Sequence, residues 1–173
     1  FISMFMYLAV TLVLLSLAGP AWQKKPQPLI KKLHARVLVL DLSFSMLASD
    51  VKPTRIDRVR FKLDDLLKNF REGDTALVGY AGEAFVISPL TNDANTISAL
   101  LPGLHPNIMP VPGSRADLGV ELASDLLSRD LGSQGHIILV TDGIEESEIS
   151  AIKKSSDGNE FSILAVGTEA GSP

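Results

Sequence analysis

A short apolar run that ends in a polar triplet is the feature that most constrains the fold of this chain. The run is Val-Leu-Val-Leu at residues 37–40, and the triplet that follows it is Asp41, Ser43 and Ser45. Four apolar residues before a polar cluster are typical of a buried parallel strand that leads into a loop. In open α/β sheets, the loops at the carboxyl ends of the strands bind ligands. One carboxylate and two hydroxyls at alternate positions suit a hard divalent cation, which prefers oxygen ligands.

A second strand of the same kind lies later in the chain. Residues 137–140 are Ile-Ile-Leu-Val, and Thr-Asp-Gly follows at residues 141–143. The carboxyl ends of neighbouring parallel strands lie at one edge of the sheet. We therefore expect Asp41 and Asp142 to lie at the same edge.

The two loops together resemble the metal-ion-dependent adhesion site of von Willebrand factor type A (VWA) domains. In that family an Asp-x-Ser-x-Ser loop, a Thr from a middle loop and an Asp after the fourth strand hold Mg²⁺. Asp41, Ser43, Ser45 and Asp142 match this pattern directly. The resemblance implies a Rossmann-like α/β fold of the VWA type, with Mg²⁺ or Mn²⁺ bound at these residues.

The middle loop, residues 112–119, departs from the family pattern. Ser114 could replace the family's Thr through its hydroxyl, whereas a different register places Ala116 there and removes that ligand. Ser114 and Asp117, just before an apolar helical pattern, also form a capping-box-like helix start. We predict that Ser114 or a water molecule completes the metal shell.

Each residue of the predicted site also has an ordinary structural explanation. Ser43 and Ser45 could satisfy backbone groups of their own loop. Asp142 with Gly143 is a common turn dipeptide. The joint occurrence of two strand-ended carboxylate loops in the right order favours the metal site over these separate explanations.

The amino-terminal stretch is strongly apolar, with no charged side chain in residues 1–22. About 19 helical residues reach roughly 28 Å, close to the thickness of the hydrocarbon core of a bilayer. Trp22 lies where an interfacial aromatic anchor belongs. A cleaved signal peptide would need a basic start and a shorter apolar core, and a helix in a small soluble domain would need a polar face. We predict a transmembrane helix over residues 1–22.

Charge is distributed unevenly along the chain. Residues 24–36 carry five basic groups and no acidic one, so the net charge of −4 leaves −9 on residues 37–173. A basic segment beside a membrane helix attracts anionic lipid headgroups and favours a cytoplasmic domain, although a more basic segment upstream would place the domain in the periplasm. The acidic segment, residues 37–173, lacks the excess of basic residues that is typical of nucleic-acid-binding domains. The chain has no cysteine, which excludes disulfides and thiolate chemistry.

Strand and helix patterns alternate between residues 35 and 169, which predicts a mostly parallel sheet with helices on both faces. Gly82-Glu83 separates two of the predicted strands, as in a hairpin. Residues 23–34, before the first strand, are predicted to form a basic linker. Because the chain begins at Phe1 rather than Met, we expect a fragment whose upstream part is missing. The abrupt end Gly-Ser-Pro after an apolar strand predicts that the VWA domain is also truncated at its C-terminus. The predicted strands are 35–41, 75–80, 84–87, 136–141 and 161–166, the predicted helices are 55–70, 92–101, 117–130 and 146–156, and residues 102–113 are predicted to be irregular.

The loop after Ser45 narrows the resemblance. The pattern Met-Leu-Ala-x-Asp-Val-x-Pro-x-Arg at residues 46–55 is similar to the membrane-anchored VWA proteins of the bacterial Bat (aerotolerance) group, as is the apolar helix that ends in Gly-Pro-Ala-Trp. This resemblance implies a protein of the bacterial inner membrane that works beside a MoxR-type AAA+ ATPase and other VWA membrane proteins. We expect Asp50 to cap the loop or to pair with Arg55 rather than to bind metal.

The sequence favours a binding module over an enzyme. A phosphohydrolase of the haloacid dehalogenase type would need an Asp where Ser43 stands, and no Gly-x-Ser-x-Gly elbow or Walker loop is present. We predict that an acidic side chain of a partner protein fills an open metal position, with residues 102–113 and Phe44 at the rim, unless Phe44 packs locally instead. A metal-independent scaffold remains an alternative. So does a hydrolase with a metal-activated water, which would need a nearby general base.

Overall fold

The computed structural model describes residues 1–17, 35–70, 72–131 and 135–168. The chain separates into two units, residues 1–31 and 32–173. The predicted linker at 23–34 and the last five residues of the predicted membrane helix lie outside the described residues, as do four of the five basic groups between residues 24 and 36.

The first unit contains helix α1, Ile2–Leu17. At 1.5 Å per residue its 16 residues extend about 24 Å. Its large apolar side chains are exposed, and the Thr11 hydroxyl bonds the carbonyl of Tyr7 at 2.9 Å. Among the described residues, no helix reaches the length and hydropathy that crossing a membrane requires. The transmembrane helix stays a prediction.

The second unit is built on a five-stranded sheet with the order β3-β2-β1-β4-β5. The β2 and β3 strands are antiparallel and all other neighbours are parallel. The structure therefore confirms the predicted hairpin and the mostly parallel sheet. The strands are β1 (Arg36–Asp41), β2 (Thr75–Tyr80), β3 (Ala84–Thr91), β4 (His136–Thr141) and β5 (Glu160–Ala165).

Four helices of the second unit match the predicted ones to within two residues at each end. Asp93 caps the start of the second of them by accepting hydrogen bonds from the amide of Asn95 and the hydroxyl of Thr96. The helices are α2 (Arg55–Asn69), α3 (Ala94–Leu100), α4 (Ala116–Leu131) and α5 (Glu146–Ser155).

Two segments differ from the sequence-based prediction. The β3 strand continues to Thr91, four residues beyond its predicted end, and passes through Pro89. Proline is tolerated there because β3 is an edge strand with one side unpaired. The segment predicted to be irregular contains two short 3₁₀ turns, Leu101–Gly103 and Pro106–Ile108.

The central strand β1 is buried on both faces, which explains its continuous apolar run. Val39 lies in one buried cluster with Val120 of α4. Leu38 lies in a second cluster with Leu63 of α2 and Ile97 of α3. Because successive strand residues point to opposite sides, these two clusters place helices on both faces of the sheet, as predicted.

Close packing at two glycines fixes the start of α4. A Cβ atom on Gly119 would lie 2.8 Å from Cγ1 of Val39 and 3.0 Å from Cδ1 of Tyr80, so glycine lets α4 approach β1 and β2. The amide of Gly82 donates to the carbonyl of Val111 at 3.0 Å, and a Cβ atom on Gly82 would meet the carbonyl oxygen of Pro112 at 2.6 Å. These contacts hold the loop before α4 against the β2–β3 turn.

We predict that Gly119→Val lowers the free energy of unfolding by about 1–3 kcal/mol, because the added methyl groups overpack a filled part of the core. Chemical denaturation followed by circular dichroism measures this change. Gly103→Val is the control, since nothing lies within 4 Å of a Cβ atom at that position. Equal effects of the two substitutions would contradict the close packing of α4.

Candidate functional site

Three strands of the sheet end side by side at the candidate site. Asp41 is the last residue of β1, Tyr80 is the last residue of β2, and Thr141 is the last residue of β4. The parallel register pairs Asp41 with Tyr80 and Leu40 with Val140. The three polar side chains therefore meet at the carboxyl edge of the sheet.

Asp41 is fully buried and its carboxylate is held from three sides. The amide of Ser43 donates to Oδ1 at 2.8 Å, and the Tyr80 hydroxyl donates to Oδ2 at 3.0 Å. The Thr141 hydroxyl lies 2.9 Å from Oδ2 and 2.6 Å from the carbonyl of Gly143, so its single proton is shared between two acceptors. Burial raises the pKa of Asp41, and the hydrogen bonds from Ser43, Thr141 and Tyr80 offset part of that rise.

The chain after Asp41 forms a short 3₁₀ turn, Phe44–Leu47, which presents two hydroxyls together. The Oγ atoms of Ser43 and Ser45 are 2.8 Å apart. The buried side chain of Met46 anchors the turn in the core. Neither serine hydroxyl bonds a backbone group within the described part of the chain, so both remain available as oxygen donors.

Asp142, the residue after β4, is bonded by an arginine. Nη1 of Arg55 donates to Oδ2 of Asp142 at 2.7 Å. The same guanidinium donates hydrogen bonds to Asp50 from Nε and Nη2, at 2.8 and 2.9 Å. The pairing of Asp50 with Arg55 is one of the two roles expected from the sequence, whereas the contact with Asp142 was not expected. The Arg55 guanidinium holds the pKa of Asp50 well below its usual range.

The two candidates from the middle loop occupy different environments. Ala116, the first residue of α4, is fully buried in the cluster that contains Tyr80. Ser114 is half-buried on the preceding loop, and no hydrogen bond joins it to Asp41, Ser43, Ser45 or Asp142. Ser114 therefore stays a predicted ligand, with the register that places Ala116 there as the alternative.

The donor set fits a hard divalent cation. The site offers carboxylate oxygens from Asp41 and Asp142 and hydroxyl oxygens from Ser43 and Ser45, the ligand types that Mg²⁺ accepts together with water. A buried carboxylate is costly unless a cation is near, and no described cationic side chain forms an ion pair with Asp41. No group of three or more acidic or histidine side chains suited to a metal occurs among the described residues. Two carboxylates with hydroxyls and water are thus the donors available here.

Sequence reasoning missed three contributors to this site. The sequence pattern predicts Tyr80 only as part of an apolar strand, yet its hydroxyl donates to Asp41. Thr141 stands directly before Asp142, and its position at a strand end is a signal that could have identified it. The contact of Arg55 with Asp142 joins residues 87 positions apart, and no local pattern indicates such a pairing.

Comparison with known proteins identifies the family. The chain matches the family model of the von Willebrand factor type A domain over residues 36–145. The chain belongs to the von Willebrand factor type A family. Domains of this family generally act as interaction modules rather than enzymes.

The resemblance to the Bat group is confirmed by solved structures. An aerotolerance-related membrane protein from Bacteroides fragilis is 27% identical, with a TM-score of 0.73 over 80% of this chain and 70% of that one. BatB from Bacteroides thetaiotaomicron is 28% identical, with a TM-score of 0.73 over 80% of this chain and 69% of that one. An uncharacterized protein from Borreliella burgdorferi is 32% identical over 149 residues, which are 83% of this chain. The chain spans 42% of the length of that relative.

We predict that Thr141→Val lowers the free energy of unfolding of this VWA domain by about 1–3 kcal/mol, because the buried Asp41 carboxylate loses a neighbouring hydroxyl. Valine keeps the shape of the side chain, so packing changes little. Thr75→Val is the matched control, since Thr75 is also buried but its hydroxyl bonds none of the described residues. Urea denaturation of both variants gives the comparison, and an equal loss in the control would show that the hydroxyl contact with Asp41 contributes nothing.

Proposed function

We propose that this chain is a membrane-anchored VWA module that binds a partner protein through a divalent metal ion at the carboxyl edge of its sheet. The position of Asp41 and Asp142 at the ends of adjacent strands, beside the paired hydroxyls of Ser43 and Ser45, supports this function most directly. Membership of a family of interaction modules agrees with it.

Asp41, Ser43, Ser45 and Asp142 would hold Mg²⁺ or Mn²⁺, with water in the remaining positions. When bound, the ion supplies an electrophilic position that accepts an oxygen ligand. The serine hydroxyls add no charge, so the two carboxylates at most neutralise a divalent ion. An acidic side chain from a partner is therefore the favoured incoming ligand.

Exposed apolar residues beside the site provide a contact surface for such a partner. Phe44 is 55% exposed, Ile108 is 52% exposed and Val111 is 39% exposed. The turn Phe44–Leu47 contacts the turn Pro106–Ile108, so Phe44 and Ile108 belong to one region. Apolar contacts around a central polar anchor are common in protein interfaces. The net charge of −9 on residues 37–173 repels broadly acidic surfaces, which favours a partner that presents a single carboxylate.

We further propose a place in the bacterial inner membrane and a MoxR-type AAA+ ATPase as the partner system. The similarity to the Bacteroides fragilis aerotolerance-related membrane protein supports a membrane location, and the ATPase is the partner that the resemblance to the Bat group implies. The exposed apolar side chains of α1 would provide the anchor.

A hydrolytic function has less support. It would need a carboxylate that accepts a proton from a metal-bound water. Asp50 lies in the network next to the site, but two hydrogen bonds from Arg55 hold its pKa well below the usual range. A carboxylate in that state is a weak general base, so binding is the better-supported role.

We predict that the purified 173-residue chain binds Mn²⁺ in a form that EDTA removes, and that Asp41→Ala abolishes the binding. Isothermal titration calorimetry measures the affinity, and circular dichroism verifies that the variant is folded. Glu121→Ala removes an exposed carboxylate from α4 and should bind like the wild type. Wild-type affinity in Asp41→Ala would exclude Asp41 as a ligand.

Dependence on the metal also tests the proposed partner. Immobilised chain should capture an AAA+ ATPase of the MoxR type from detergent-solubilised membranes in Mg²⁺ but not in EDTA, and Asp142→Ala should lose that capture while Glu121→Ala keeps it. Mass spectrometry identifies the captured proteins. A partner set that ignores both the metal and the Asp142 substitution would support a metal-independent scaffold instead.

We predict that the chain stays in the membrane pellet through an alkaline carbonate wash, because the apolar side chains of α1 would lie in the hydrocarbon core. A variant that lacks residues 1–17 should be released into the supernatant. Binding through the basic segment alone would be lost in high salt, since salt screens its attraction to lipid headgroups. Release of the whole chain by carbonate would contradict a membrane-spanning anchor.

A further inference from the structure

The guanidinium of Arg55 is an internal cation beside the candidate metal site. Nη1 donates to Asp142 at 2.7 Å, and Nε and Nη2 donate to the two oxygens of Asp50 at 2.8 and 2.9 Å. Neither Arg55 nor either carboxylate side chain is more than 9% exposed. Interactions between charges so shielded from water are stronger than those at a surface.

The arginine competes for a carboxylate that the metal also needs. In the described part of the chain, Arg55 is the only group that bonds the Asp142 side chain, and it uses Oδ2. Oδ1 is left for an ion or for a metal-bound water. The positive charge of Arg55, next to Oδ2, draws electron density away from Oδ1. The same charge also repels a divalent cation. By itself, Arg55 therefore weakens metal binding.

Asp50 acts against this effect. It forms a bidentate pair with the other side of the guanidinium, the strongest arrangement between these two groups. Asp50 Oδ2 also accepts hydrogen bonds from the amide and the hydroxyl of Thr168, at 3.0 and 3.2 Å. Gly167, with φ of +137°, passes over the guanidinium, since a Cβ atom there would lie 3.5 Å from Nε and Nη2. The chain after β5 thus covers the ion pair and holds Asp50 in place.

We propose that Arg55 and Asp50 form a charge pair that sets the affinity of the candidate site for its metal, with Arg55 lowering the affinity and Asp50 restoring it. This role rests on the metal site proposed above, in which Asp142 is a ligand. Both residues are positioning residues, since they act on the ion through Asp142 and through their charge.

Single substitutions of the two partners should change the affinity in opposite directions. Arg55→Gln removes the competing cation and leaves the charge of Asp50 near the site, so Mn²⁺ should bind at least about tenfold more tightly. Asp50→Asn leaves the charge of Arg55 opposed only by Asp142, so Mn²⁺ should bind at least about tenfold more weakly. The double variant removes both charges and should return to within about threefold of the wild type.

The test uses the purified 173-residue chain, with Mn²⁺ titrations by calorimetry and by electron paramagnetic resonance of the free ion. Arg58→Gln is the matched control, because Arg58 lies exposed on the same helix and its substitution should leave the affinity unchanged. Thermal unfolding without metal shows separately how each substitution affects stability. A loss of affinity in both single variants would assign the pair a structural role only and would overturn the proposal.

Further outcomes distinguish a failure of the charge-pair proposal from a failure of the proposed metal site. If Arg55→Gln does not fold, Arg55→Lys decides in its place: it keeps the charge, so its affinity should stay within about threefold of the wild type while Asp50→Asn weakens binding. Wild-type affinity in Asp50→Asn would overturn the charge pair and leave the metal site standing. Absence of Mn²⁺ binding by the wild type would overturn the metal site, and the proposed role of the pair with it.

Discussion

The burial of one carboxylate, Asp41, is the constraint on which the rest of the site depends. Burying a charge without hydrogen bonds is costly, and the structure meets this demand from three adjacent elements. Ser43 belongs to the following loop, Tyr80 ends β2 and Thr141 ends β4. These groups reach Asp41 only if β1, β2 and β4 end at the same level. The register of β1, β2 and β4 therefore also determines which side chains surround Asp41.

The strand that carries Asp41 is tightly packed within the domain. β1 is the middle strand of the sheet, buried by helices on both faces, and the glycine at 119 lets α4 approach it closely. Such a strand has little freedom to shift, because a slip by one residue would exchange the side chains that pack in the two buried clusters. The serines lie beyond the strand, in a turn anchored by Met46. Phe44 and Ser45 of this loop are thus exposed, while Asp41 and Ser43 are buried at the end of a well-packed strand.

Periodicity explains which parts could be predicted from the sequence. The strands, the main helices and the shared edge of Asp41 and Asp142 all follow from apolar patterns and from the geometry of parallel sheets. The continuation of β3 through Pro89 could not be predicted, because it depends on β3 being an edge strand. The choice between Ser114 and Ala116 could not be made because a polar loop has no periodicity. The bond between Arg55 and Asp142 depends on packing between distant segments, which local sequence does not encode.

For the proposed metal site, charge at the carboxyl edge favours binding over catalysis. Asp50 and Arg55 cancel each other, so the charge available to a divalent ion comes from Asp41 and Asp142 alone. If Arg55 were absent, Asp50 would add a third negative charge and leave the bound ion less able to attract a carboxylate. If Asp50 were absent, Arg55 would oppose the ion. A neutral pair beside two carboxylates keeps the site near zero charge when the ion is bound. In the proposed complex, that balance would allow one more carboxylate, from a partner, to be attracted.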